Sequence, residues 1–197
     1  VRNKMKKVEH GKTFDRNAAN PPAFEIFHNT VTEGYPKHWH TAIEIIMPTR
    51  GEYEVVVGKD SYNLKEGDII MINSGVVHGM RFVSQGERIV MLVEPGCVEN
   101  QEEMETIFLR LPAIYFKKED EEDPFYLFLR SQILELVREY DNEGAVMTHR
   151  ICTGLKELFS EFGRKGFSDA NAQNTFGAMK QQEYIEAVLS ACRYINV

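Results

Sequence analysis

Four side chains in this sequence are of types that hold metal ions or polar ligands: His38, His40, Glu44 and His78. The first three fall within GYPKHWHTAIEIIMPTRG, residues 34–51, and all carry even numbers. Alternate side chains of a β-strand point the same way. One strand over 38–47 therefore puts His38, His40 and Glu44 on one face. It puts Trp39, Thr41, Ile43 and Ile45 on the other, a mostly apolar face expected to be packed. The stretch GDIIMINSGVVHGMRF, residues 67–82, adds His78 just after the turn signal Ser74-Gly75. If the two strands lie side by side, three imidazoles and a carboxylate converge. That is a competent ligand set for zinc, iron, manganese or nickel. Two other readings stay open at this point: the four groups line a pocket and hydrogen-bond an organic ligand without metal, or they are satisfied by their neighbours in a barrel core. Convergence favours the first two, because burying several ionisable groups unpaired is costly.

Nearby residues could shape the same cavity. Met80 and Phe82 share the parity of His78 and are expected to face inward with it, and Met71 is a further candidate. Simple core filling is the competing reading for each. Arg50 and Arg81 could meet an anionic ligand but read more simply as solvated charges, as does His149.

These residues need a β-scaffold, and the surrounding pattern supplies one. Short strand candidates run over 24–29, 38–47, 51–57, 61–64, 69–73, 77–83 and 88–94. Turn signals such as Gly58-Lys59-Asp60 and Lys65-Glu66-Gly67-Asp68 separate them. No helix-length periodic segment interrupts this run, so a sandwich or barrel is expected. The pattern changes near residue 101. Asp123 and Pro124 suit an N-cap and first helical position. Phe125, Leu129, Ile133, Leu136 and Tyr140 follow at helical spacing. A second helix is expected over 145–162, with Met147, Ile151, Leu155, Leu158 and Phe162 as its stripe and Gly163 as its stop. A short polar link makes the pair an antiparallel hairpin. The stripes are wide enough for part of them to serve a dimer interface. Residues 164–178 read as a linker, and a last helix is expected over 179–197. Residues 1–20, with Lys4, Lys6, Lys7 and Lys12, read as a flexible arm closed by Pro21-Pro22.

Composition limits the function. The 197 residues hold 23 Lys+Arg and 30 Asp+Glu, a formal net charge of −7. Nucleic-acid modules usually carry a basic face, so extensive DNA or RNA binding by these residues alone is not expected. The imbalance sits in the second half: residues 1–100 are net −1 and residues 101–197 net −6. No run approaches the roughly 18 apolar residues of a membrane span, and the polar N-terminus shows no secretory signal. Cys97, Cys152 and Cys192 are scattered, which fits a reducing cytoplasm better than a disulfide framework or a thiolate zinc site. There is no nucleophile elbow, phosphate-binding glycine loop or dinucleotide fingerprint.

The motifs resemble those of the cupin superfamily. Gly34, His38, His40, Glu44 and Gly51 match its first motif, with a slightly shortened opening gap. Gly67, Gly75 and His78 match the second, while Asn73 stands at its proline position and Phe82 at its final asparagine. The resemblance implies a mainly β fold: a double-stranded β-helix (jelly roll) over 21–100, followed by a C-terminal α-helical hairpin over 101–163. One barrel followed by a helical pair is also similar to the N-terminal sensor half of AraC-type transcription regulators. The segment EYIEAVLSACRYINV, 183–197, looks like the first helix of their helix-turn-helix half, here truncated. That resemblance implies a cytoplasmic regulator region that is not an enzyme. Its barrel would bind a small-molecule effector, a carbohydrate as first candidate, through His38, His40, Glu44, His78, Met80 and Phe82. The helices would form a homodimer, and DNA would be contacted only by the missing C-terminal domain, with no membrane partner. The alternative is a metal-dependent cupin enzyme, a dioxygenase or sugar isomerase, using the three-His, one-Glu site.

Overall fold

The computed structural model describes residues 23–30, 34–97, 113–118, 122–142 and 144–165. The expected N-terminal arm, the last helix over 179–197, Cys192 and the Phe82 side chain lie outside the described residues, as does the expected linker beyond residue 165.

Among the described residues, nine strands form two antiparallel sheets, the two layers of a cupin-like jelly roll. They are β1 (Phe24–Asn29), β2 (Tyr35–His38), β3 (Ile43–Arg50), β4 (Tyr53–Val57), β5 (Asp60–Leu64), β6 (Ile69–Ile72), β7 (His78–Phe82), β8 (Glu87–Val93) and β9 (Ala113–Phe116). The five-stranded sheet has the order β1-β8-β3-β6-β9 and the four-stranded sheet the order β2-β7-β4-β5. Helices α1 (Pro124–Asp141) and α2 (Met147–Lys165) follow.

The expected strand over 38–47 is in fact two strands in different sheets. β2 ends at His38, residues 39–42 cross the gap, and β3 begins at Ile43. β9 was not legible from the sequence pattern. It adds a fifth strand from beyond residue 100, where the barrel was expected to end. Buried Asp68 holds it in place, accepting from the backbone N–H of Lys118 (2.8 Å), the hydroxyl of Tyr115 (2.6 Å) and the N–H of Lys65 (2.9 Å).

The five-stranded sheet buries both faces. Its outer face presents Ile43, Ile45, Met47, Met71, Ile89 and Met91 to the helices, which answer with Leu129, Ile133, Leu155, Leu158 and Phe162. Fully burying a side chain of this size stabilises the fold by about 1.5–3 kcal/mol, so this layer fixes the hairpin. Most of both helical stripes is thus buried against the sheet, with Phe125, Tyr140 and Met147 only partly covered. On the described outer surface of α1, Leu127 and Leu134 remain exposed. Met71 belongs to this outer layer, which removes it from the cavity candidates.

The inner face packs Ile46, Ile70 and Ile72 against Val55, Val57 and Met80 of the opposite sheet. Buried Arg88 also points inward and stacks on the Tyr53 ring at 4.8 Å, a cation–π contact between the sheets. Helix α1 starts as its sequence suggests: the Asp123 carboxylate accepts from the N–H of Phe125 at 2.9 Å, and Pro124 follows it. Helix α2 runs past Gly163 to Lys165, so that glycine sits within the last turn and does not stop the helix.

Candidate metal centre

The site forms where the two sheets meet. His38 ends β2 and lies directly opposite His78, the first residue of β7. Glu44 enters from β3, the central strand of the other sheet, between Ile72 of β6 and Leu92 of β8. His40 lies on the crossing segment. Two contacts hold that segment: Gly75 donates its N–H to the His40 carbonyl at 2.8 Å, and the Thr41 hydroxyl donates to the Glu94 carboxylate at 2.9 Å. Gly75 makes its turn at φ 73°, a conformation that favours glycine. Gly34 is required for a different reason. A Cβ there would stand 2.5 Å from the Met80 carbonyl oxygen, so any side chain would push β2 away from β7.

One potential ligand atom from each of His38, His40, Glu44 and His78 lies within 4.8 Å of all the others. The ring centroids are 4.5 Å apart for His38–His78, 4.9 Å for His40–His78 and 5.5 Å for His38–His40. Glu44 and His78 are 7% and 3% exposed, and the His40 side chain is nearly as enclosed. His38 is the most open of the four.

The three imidazoles are oriented alike. Nδ1 of His38 donates to the Pro36 carbonyl at 2.9 Å, Nδ1 of His40 to the Ala42 carbonyl at 2.9 Å, and Nδ1 of His78 to the Val76 carbonyl at 2.8 Å. A carbonyl oxygen only accepts, so each Nδ1 carries a proton. In a neutral ring Nε2 then carries a lone pair, the form that ligates metals. Glu44 Oε2 lies 2.7 Å from Nε2 of His78 and 3.0 Å from Nε2 of His40. Two lone pairs cannot face an anionic oxygen at these distances without a positive charge among them. A second proton on a ring supplies it, and so does a metal cation. The donor set therefore fits a divalent transition metal: three nitrogen donors of fixed tautomer and one anionic oxygen.

The electrostatics agree. Burial alone pushes the Glu44 carboxyl up, but hydrogen bonding to His40 and His78 outweighs it and holds the group well below the usual carboxylate range. Burial lowers the His38 imidazole below its ordinary value, partly offset by the Pro36 carbonyl. His38 therefore stays neutral, and able to ligate, to a lower pH than a solvated histidine.

The structure brings together all four ligand candidates that the sequence singles out. Met80 is buried and shares their interior. Trp39 departs from expectation: it is 50% exposed and not packed. It sits where the chain leaves β2, so the alternation of a strand no longer governs it. Arg81 and Arg50 pair at the surface with Glu54 and Glu87, and His149 is exposed, as solvated charges would be. Sequence reasoning missed Thr41 and Glu94, which anchor the crossing segment. Only their meeting across 53 residues marks them.

Residues 29–94 match the family model described as "Cupin domain". The ligand cluster lies inside the matched residues. No curated protein matches the sequence. Among solved structures it is similar to a conserved protein of unknown function from Streptococcus pyogenes, with 18% identity over 36% of this chain and 63% of that one, at a TM-score of 0.33. Apo ToxT from Vibrio cholerae, in a variant form, shows 14% identity over 79% of this chain and 60% of that one, at a TM-score of 0.49. Oxalate decarboxylase from Bacillus subtilis, described with Mn(II) centres, shows 18% identity over 36% of this chain and 20% of that one, at a TM-score of 0.32. The chain spans less than two thirds of the length of each. Among the described residues, no helix is long and apolar enough to cross a membrane.

Proposed function

We propose that this chain is the small-molecule-sensing region of an AraC-type transcription regulator. In this reading its barrel recognises the effector at a divalent transition metal held by His38, His40, Glu44 and His78. The construction of β3 carries the proposal. Glu44 reaches the ligand cluster from the inner face, while its neighbours Ile43 and Ile45 press outward on the layer shared with α1 and α2. A ligand that pulls on Glu44 therefore acts one residue away from the side chains that seat the helices. The effect is a shift between arrangements of barrel and hairpin, driven by differential affinity.

A bound metal would supply a Lewis-acidic point for an oxygen-rich effector, with carbohydrate the first class to screen. The protein's own residues fix the imidazole tautomers, set the Glu44 charge and exclude water from the apolar interior. Two chains would pair through the helices, the exposed Leu127 and Leu134 of α1 being the residues on the described surface suited to it. DNA contacts would fall to a helix-turn-helix part outside residues 1–165.

A second reading, a metal-dependent cupin enzyme, rests on the same ligand set. One experiment separates the two. The chain is loaded in turn with Zn, Mn, Fe or Ni, exposed to a sugar library, and followed by calorimetry and by product analysis. The sensor reading expects saturable binding, abolished by a chelator, with the ligand recovered unchanged. Multiple turnovers of ligand into product would overturn it in favour of the enzyme.

A further inference from the structure

We propose that Cys97 and Cys152 form a peroxide-responsive dithiol, which closes to a disulfide and locks α2 onto the end of β8. The two residues are 55 positions apart, yet their Sγ atoms lie 3.4 Å from each other. Cys97 ends the short 3-10 turn Pro95–Cys97 that follows β8, and Cys152 lies in the second turn of α2. Both are free thiols, both are partly exposed, and both pack against the apolar layer between sheet and helices. A disulfide bond is about 2.05 Å long. Closure therefore needs an approach of roughly 1.4 Å, within reach of a short turn moving against a helix.

The two thiols have different surroundings. Burial, together with the hydrogen bond to Cys152, pushes the Cys97 thiol up to about 12. Lys156, one helical turn beyond Cys152, opposes this only weakly. One of the two sulfurs, as its thiolate, displaces hydroxide from hydrogen peroxide and becomes a sulfenic acid. The other thiol, 3.4 Å away, then condenses with it, forming the S–S bond and releasing water. In total, two thiols and one peroxide give one disulfide and two waters, with two electrons passing from sulfur to oxygen. Disulfides in reducing compartments are typically transient and of this redox-sensing kind.

The link would have a mechanical consequence. The Cys97 N–H donates to the Glu94 carbonyl at 2.9 Å, and the Glu94 carboxylate holds Thr41, the neighbour of His40. The bond would tie the helical hairpin to the strand end that anchors the histidine segment.

The test uses the full chain carrying Cys192→Ser, in a chelator so that site metal plays no part. The protein is titrated with hydrogen peroxide and followed by intact mass, maleimide labelling and peptide mapping. The expected result is the loss of two hydrogen masses, the joint disappearance of both thiols, a linked Cys97–Cys152 peptide and full reversal by dithiothreitol. In the C97S and C152S variants, dimedone should trap a sulfenic acid at the remaining thiol of at least one of them. Hydrogen exchange in α2 should slow after oxidation of the dithiol protein. The proposal is overturned if the mass rises by added oxygen with no cross-link, or if both thiols still label after peroxide has fully oxidised free cysteine added to the same tube.

Discussion

The two faces of the five-stranded sheet are built on opposite principles. Outward, Ile43, Ile45, Met47, Met71 and Met91 meet the helices in a continuous apolar layer. Inward, the same central strand places one carboxylate among apolar neighbours and aims it at two imidazoles. The outer face follows from pattern and volume. The inner face works only if charge is balanced, because an unpaired buried carboxylate is heavily penalised. Stability and chemistry are therefore assigned to alternate residues of one strand. Replacing a side chain on one face should leave the other's packing or donor set in place, although the shared backbone still passes a ligand's pull from Glu44 to Ile43 and Ile45.

The strongest challenge to that division is removal of the carboxylate. Glu44→Gln should weaken metal binding by at least about a hundredfold, beyond the range seen on mutating mere supports of metal ligands. Competition with a chromogenic chelator measures this. Binding within tenfold of the native chain would mean the inner face is not a metal site. Next in size is Leu155→Ala, which opens the outer layer. It should cost about 2–5 kcal/mol in urea unfolding and leave metal stoichiometry unchanged. A loss of metal in the folded variant would show that the two faces are not separable.

Acid should act selectively on the inner face. Protons compete with metal for imidazole nitrogen, so retention should fall as pH drops below about 6.5. In the metal-free chain two groups with lowered values contribute to the stability profile. His38 is lowered, so the unfolded chain takes up its proton first and stability falls as pH drops below about 6.5. Glu44 is lowered too. Its contribution is complete above the unfolded value near 4.3 and is lost as pH falls further. Thermal melts across pH 3–8 should thus show two successive declines, whereas a flat profile would contradict the coupling. The smallest effect is expected at Trp39→Ala. A half-exposed side chain outside both layers should change stability by no more than about 0.5 kcal/mol, whereas packing against the site would have made it costly.

Much of this division can be read in the sequence. Strand 24–29, the strand expected over 69–73 (which ends one residue earlier, at Ile72), the start of α1 and both helical stripes follow from period and caps. The ligand set is visible too, but by a route the structure corrects. Even numbering suggested one strand, whereas His40 lies on a crossing between sheets and meets Glu44 because the chain folds over the gap. Local alternation cannot reveal a change of sheet, and for the same reason it misjudged Trp39. Met71 shows the complementary limit: its pattern marks it as buried but not on which side of a two-faced sheet. β9 and the Cys97–Cys152 contact depend on pairings across 40 residues or more, which no window of neighbouring residues encodes.

The order of the five-stranded sheet has a consequence for how the chain is made. Phe24 pairs with Val93, and Ile69 of β6 pairs with Phe116. At synthesis rates of about 5–20 residues per second, β1 waits several seconds for the partner that completes it. Topologies dominated by such distant pairings also close slowly once the chain is free. Throughout that interval Phe24 and Ile26 are an uncovered strand edge, the kind of surface on which aggregation begins. The production of this protein should therefore respond more to chaperone supply and growth temperature than its final stability would suggest.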